Sequence, residues 1–301
     1  MQYNKIGNTD MIASAVGLGG MSLTGGATKT NVEIVQRAFD GGITYFDTAD
    51  LYEKGLNETL FGQALSGFRQ RVVLATKVGN KWRPDGEGWD WKPSKAHILK
   101  EVEASLTRLK TDYIDLYQLH GGTIDDPFEE IIEAFELLIK QGKIRSYGFS
   151  SIRPNVFERY AKYASIVSNM MPYSLLDRRP EPYFKQLENA GIDVAVRGAL
   201  AQGLLINKQA KEYLQQTAGE VSLAQRQINR LSEELGQSAT TIALRYAITP
   251  SAVKRLVIGV RAMKQLDDVL DSATKLQPLD VESLALLENG LRKGAYTEHL
   301  S

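Results

Sequence analysis

Cysteine is absent from the chain. That removes disulfides, thiol nucleophiles and thiolate metal ligands from consideration, and no metal site is expected. An excess of charge is missing too: 36 Lys and Arg offset 36 Asp and Glu, for a formal net charge of zero. The basic residues are scattered, so the basic stripe that a phosphate backbone requires is not formed and no nucleic-acid partner is expected. No stretch approaches the roughly 18 apolar residues of a membrane span. Met1-Gln2-Tyr3-Asn4-Lys5 lacks the apolar run of a signal peptide. A cytoplasmic protein without a membrane partner is therefore expected. Histidine and tryptophan are scarce, at three each.

What is present is an ordinary globular composition, 43% hydrophobic and 24% charged over 301 residues, enough for a large core. Its dominant pattern is alternation. Short apolar, β-rich runs fall at Ala15–Leu18, Ile43–Phe46, Val72–Ala75, Tyr113–Leu119, Ile144–Phe149, Ile166-Val167, Ile192–Val196 and Leu256–Ile258. Several lack polar alternation, as strands buried on both faces of a parallel sheet do. Between them lie amphipathic segments such as Val32–Phe39, Ser94–Leu109 with Ser94 as N-cap, Pro127–Ile139 stopped by Gln141-Gly142, and Asn155–Tyr163. Eight strand–helix units predict a single α/β domain over 1–301, a (β/α)8 TIM barrel. A helical insertion is expected at about 208–237 and a short polar tail at about 289–301. A doubly wound sheet would open on G-x-G-x-x-G; Gly17-Leu18-Gly19-Gly20 is not that pattern.

A barrel places chemistry where its strands end. Polar residues recur there. The second strand ends at Asp47 with Tyr52 in the following loop, the third at Lys77 and the fourth at His120. The fifth ends at Ser150-Ser151, the sixth near Ser168-Asn169 and the seventh at Arg197. Singly, each has a plain structural use as a cap or a solvated end. Together, the Asp, Tyr, Lys and His of three consecutive strands would converge on one volume. A free phenol, with a pKa of about 10, is a poor acid near neutrality, and an ammonium such as Lys77 beside it favours the phenolate. Asp47 would hold that ammonium, and His120 would position a carbonyl oxygen. No side chain here supplies a hydride, so a cofactor must. His97 falls on a helix and His299 in the tail.

These residues sit in segments that resemble the aldo-keto reductase family, bacterial members in particular. They are Phe46–Tyr52 continuing to Asn57-Glu58, Leu74–Gly79, Asp112–His120, Gly142–Ser150 and Tyr173–Pro180. The likeness extends from about Lys5 to Glu288. It implies a barrel that binds NAD(P)H without a Rossmann domain, and a catalytic tetrad of Asp47, Tyr52, Lys77 and His120. It implies that Gly19, Gly20 and Met21 lie near the nicotinamide and that Ser150 holds its carboxamide. Arg197–Leu205, with Gly198, Leu200, Gln202 and Gly203, would cradle the pyrophosphate. Gly259, Arg261, Gln265 and Asp268 would meet the adenosine phosphate. The chain departs from the family pattern at Ser151, at Met170 (for which Asn169 is the substitute), at Arg197 in place of an aromatic residue, and at Val269. Arg261 and Lys264 favour NADPH over NADH, because both can pair with a 2′-phosphate.

The connection from Asn80 to Pro93 holds Trp82, Trp89 and Trp91. It reads either as an aromatic wall of the substrate site, with Trp82 nearest Lys77, or as an anchor for a long loop. The function expected is NADPH-dependent reduction of a small-molecule aldehyde or ketone with Tyr52 as general acid. The alternatives are a slow nicotinamide-binding sensor or regulatory subunit, and a barrel isomerase using Lys77 or His120. Substrate and oligomeric state are left open.

Overall fold

A computed structural model describes residues 1–300. Its strands are β1 (Tyr3–Lys5), β2 (Ile12–Ser14), β3 (Val16–Gly19), β4 (Tyr45–Asp47), β5 (Val73–Val78), β6 (Asn80–Trp82), β7 (Trp89–Trp91), β8 (Ile114–Leu119), β9 (Ile144–Phe149), β10 (Ser168–Pro172), β11 (Asp193–Arg197) and β12 (Val253–Gly259). Eight of them, β3, β4, β5, β8, β9, β10, β11 and β12, close into a parallel barrel in that order. The helices are α1 (Lys29–Asp40), α2 (Leu56–Ala64), α3 (Lys95–Leu109), α4 (Phe128–Lys140), α5 (Pro154–Tyr163), α6 (Glu181–Asn189), α7 (Ala218–Leu235), α8 (Ala239–Ile248), α9 (Met263–Thr274) and α10 (Val281–Glu288). Side-chain caps set many of their starts. Thr28, Ser94, Ser238 and Asp280 each accept a backbone N–H of the first turn, and Thr217 and Glu220 form a capping box.

Two apolar layers follow from strand alternation. Ala13, Tyr45, Val73, Ala75, Leu116, Met170, Ala195 and Val257 fill the barrel with Ile6, and a larger cluster joins the sheet to the helices. The β1–β2 hairpin lies across the N-terminal end of the barrel. Arg255 reaches it from inside, donating to the carbonyls of Asn4 at 3.1 Å and Lys5 at 3.2 Å.

The sixth strand lies later than its apolar signal at Ile166-Val167. It runs Ser168–Pro172, with Ser168 and Asn169 buried as strand residues rather than standing at its end. Polar side chains with buried roles hid it. In the region of the expected insertion, helix begins only at Ala218, after an irregular stretch with Leu214 at φ 53°. The polar tail does not stand free: Arg292 pairs with Glu220, Lys293 with Glu181 at 3.0 Å, and Gln215 bonds Ala295. The three tryptophans sit on an antiparallel hairpin, β6–β7, with Trp82 opposite Trp89. Among the described residues, no helix is long and apolar enough to cross a membrane.

Candidate active site

Asp47, Tyr52, Lys77 and His120 meet at the C-terminal mouth of the barrel. Lys77 Nζ donates to Asp47 Oδ1 at 2.5 Å and to the Thr48 carbonyl at 2.7 Å, and lies 3.5 Å from the Tyr52 hydroxyl. The Tyr52 and His120 rings stand edge to face with centroids 5.7 Å apart. Asp47 and Lys77 are buried, whereas Tyr52 and His120 are partly exposed. Burial would lower the Lys77 ammonium, but the Asp47 carboxylate and Tyr52 phenol outweigh it and raise its pKa. Burial raises Asp47, with Lys77 opposing. Desolvation, aided by the charges of Lys77 and Arg197, pushes His120 down to about 3. The ring is therefore neutral near pH 7 and can donate one N–H.

The Tyr52 loop is held in an unusual conformation. Glu53, Lys54 and Gly55 follow the tyrosine at φ 49°, 56° and 88°, three consecutive residues in left-handed space. Gly55 is needed twice over, because a Cβ there would come within 2.6 Å of Arg108 Cδ. The Glu53 carboxylate accepts the backbone N–H of Gly25 at 2.8 Å and Gly26 at 3.3 Å, tying this loop to the one after β3. Asn57 reinforces that tie. Its amide donates to the carbonyls of Gly20 at 2.9 Å and Leu23 at 3.1 Å and accepts from Thr48 at 2.7 Å. Beneath it, buried Glu58 takes Arg108 and Thr76, each at 2.6 Å, and so joins α2, α3 and β5. Trp82 Nε1 donates to the Leu51 carbonyl at 3.3 Å, and Lys54 lies 5.1 Å from the Trp82 ring. Trp91 donates to Asp126 at 2.8 Å, and its ring lies over Gly79 and Gly121, which follow β5 and β8.

Around the mouth, Gly19 ends β3 and Gly20 follows it, with Met21 exposed beside them. A Cβ on Gly20 would sit 2.2 Å from Asn57 Oδ1, so only glycine permits this approach. Asn169 is committed elsewhere: its amide accepts from the Ser151 N–H at 3.2 Å and donates to the Ser151 carbonyl at 3.1 Å. Met170, not Asn169, faces the barrel interior. Ser150 is partly exposed after β9, and Arg197 is exposed at the end of β11. Beyond it Gly198, Ala201, Gln202 and Gly203 have φ of 77°, 44°, 58° and 88°, while Leu200 is at −95°. The segment is a pair of tight turns closed on itself: the Ala201 and Gly203 N–H groups donate to the carbonyls of Gly198 and Leu200, each at 2.8 Å, and the Leu204 N–H to that of Ala201 at 3.0 Å. Gly259 at the end of β12 and Arg261, Lys264, Gln265 and Asp268 beyond it are all exposed. The Gln265 side chain accepts the Arg261 backbone N–H at 2.8 Å, leaving the Arg261 guanidinium to solvent. Val269 is buried in the core and offers the mouth nothing.

Sequence reasoning passed over Glu53, Arg108 and Gln118. Glu53 follows the tyrosine directly, but no pattern announces a left-handed glutamate. Gln118 stood in plain view two residues before His120, inside a run read only as strand.

A family model described as "Aldo/keto reductase family" matches residues 15–290. The chain is 44% identical over 310 residues to "Uncharacterized oxidoreductase YqkF" of Bacillus subtilis, covering 100% of both chains. It is 32% identical over 234 residues to "NADH-specific methylglyoxal reductase" of Escherichia coli, covering 71% of this chain and 72% of that protein. Among solved structures, the holo form of "aldo-keto reductase AKR11C1" from Bacillus halodurans superposes with a TM-score of 0.92 at 42% identity, covering 100% of both chains.

Proposed function

The chain belongs to the aldo/keto reductase family, and from that premise we propose that it reduces an aldehyde or ketone with NADPH, Tyr52 giving the proton. That it is an NAD(P)H-dependent oxidoreductase follows from the family and its oxidoreductase relatives. The observation that carries the finer reading is the Lys77 amine bridging Asp47 at 2.5 Å and the Tyr52 hydroxyl at 3.5 Å.

The residues present fit a dinucleotide. Gly19, Gly20 and Met21 border the place for the nicotinamide, with Ser150, Ser151 and Arg197 across from them. Asn169 supports this place through Ser151 rather than by direct contact. Gly198, Leu200, Gln202 and Gly203 would border the pyrophosphate beside Arg197, with the Gly203 N–H held by the Leu200 carbonyl at 2.8 Å and so not itself a donor to it. Gly259, Arg261, Gln265 and Asp268 suit the adenosine end, and the free Arg261 guanidinium favours a 2′-phosphate. The bound dinucleotide supplies the hydride.

Everything else is side-chain work. Neutral His120 donates a hydrogen bond to the carbonyl oxygen and aims it at Tyr52. As negative charge builds on that oxygen, the Tyr52 hydroxyl delivers its proton. Lys77, held charged by Asp47, stabilises the phenolate left behind. Trp82 forms one wall for the rest of the substrate.

The test is consumption of NADPH and NADH with aromatic aldehydes, dicarbonyls, sugars and pyridoxal. Carbonyl-dependent consumption, faster with NADPH, is expected. Tight NADPH binding without turnover on any carbonyl would replace this reading with that of a nicotinamide sensor. The named activity of the Escherichia coli relative makes NADH the comparison that matters for the cofactor.

A further inference from the structure

Gln118 lies inside the barrel, fully buried, two residues before His120. On β8 it stands in register with Lys77 of β5 on one side and Gly148 of β9 on the other. Neither Nε2 nor Oε1 of Gln118 has a hydrogen-bond partner among the described residues, and neither does Asp47 Oδ2. Three unsatisfied atoms therefore lie buried in the barrel interior beside the Lys77 pair, where a polar atom left without a partner is destabilising. Turning the amide exchanges donor and acceptor at almost no steric cost.

We propose that Gln118 is a positioning residue that donates its Nε2–H to Asp47 Oδ2, holding the carboxylate ionised so that it keeps Lys77 charged beneath Tyr52. The inference rests on the reading of Asp47, Lys77 and Tyr52 given above. Lys77 already occupies Asp47 Oδ1 at 2.5 Å, so the second oxygen is the one that needs a donor. The groups around Asp47 are Lys77 from β5 and Tyr45 from its own strand, with Tyr52 and His120 beyond Lys77 and Arg197 beyond His120. Of these only Lys77 bonds the carboxylate. Burial raises the Asp47 pKa, and the Gln118 amide works with Lys77 against it.

Gln118→Met keeps the volume and removes the donor. Asp47 must be ionised for turnover, so a higher Asp47 pKa moves the acid limb of the kcat/KM profile upward, by roughly one to two pH units. NADPH affinity, read from quenching of tryptophan fluorescence, should stay as in wild type, which loss of general packing would not allow. A wild-type pH profile in Gln118→Met overturns the inference. Should that variant fail to fold, Gln118→Glu replaces it. The acid donates only while protonated, so turnover should fall as pH rises through its titration, and a wild-type profile again overturns the inference. Tyr52→Phe separates the two levels. If it turns over normally, the reading of the tetrad fails. If it is inactive while both Gln118 variants follow the wild-type profile, only the role of Gln118 fails.

Discussion

The barrel interior holds a cation, a carboxylate and a tyrosine at each end, and only one set faces the mouth. At the top are Lys77, Asp47 and Tyr52. At the bottom are Arg255, Asp193 and Tyr45. In the upper set the amine lies 2.5 Å from the carboxylate and 3.5 Å from the phenol oxygen. In the lower set the guanidinium lies 3.4 Å from Asp193 Oδ2 and 5.2 Å from the Tyr45 ring centroid, while its Nη2 holds the β1–β2 hairpin through the carbonyls of Asn4 and Lys5. Tyr45 is fully buried, its hydroxyl has no partner among the described residues, and burial drives its pKa upward. On the proposed function, the same residue classes give a proton-donating phenol at the mouth and a structural seal at the base. Access is one difference. The other is the cation: an ammonium is a mobile point charge that can serve carboxylate and phenol together, whereas a guanidinium fork is suited to tying fixed carbonyls.

Exchanging each cation for methionine tests that contrast most strongly. Lys77→Met should cut turnover at least about a hundredfold. Arg255→Met should lower unfolding free energy by about 3–5 kcal/mol, because Asp193 is left buried and uncompensated. It should nonetheless leave turnover per folded molecule unchanged. Denaturant titration and steady-state kinetics on both variants would reveal the opposite pattern if the lower set also served catalysis.

A smaller effect comes from His120, which only the upper set possesses. Its folded pKa is about 3, against 6.5 for the ordinary imidazole. The unfolded chain therefore binds a proton below pH 6.5 that the native state refuses. Stability is complete above that pH and falls as pH drops toward 3. At pH 5 the loss from this group is up to about 2 kcal/mol. His120→Asn should lose less stability than wild type between pH 7 and pH 5, measured by urea unfolding. An equal loss would mean that His120 is protonated in the folded protein.

The smallest effect lies at the rim, where charges are solvated and screened. Arg261→Ala should weaken NADPH binding by about tenfold and NADH hardly at all. Equal weakening of both, by fluorescence titration, would remove Arg261 from the 2′-phosphate.

The upper set was legible in the sequence because each member ends or follows an apolar run, a position with meaning in a parallel barrel. The lower set was not. Asp193 and Arg255 sit inside strands, where a lone charge interrupts the apolar pattern without announcing a partner 62 residues away. The sixth strand was misplaced for a related reason, since Ser168 and Asn169 are polar yet buried. Asn169 matched a cofactor role by position, but its amide had already been claimed by the Ser151 backbone. The Glu53 link to Gly25 and Gly26 depends on backbone angles that no composition signals. Gln118 escaped notice because strand position was read and side-chain chemistry was not.

The most direct measurement compares two phenylalanine variants in one assay of carbonyl-dependent NADPH oxidation, with NADPH affinity recorded alongside. Tyr52→Phe should lose turnover by about 10²–10⁴-fold with cofactor affinity intact, and Tyr45→Phe should behave as wild type. Undiminished turnover in Tyr52→Phe, or an equal loss in Tyr45→Phe, would contradict the claim that the mouth of the barrel holds the acid.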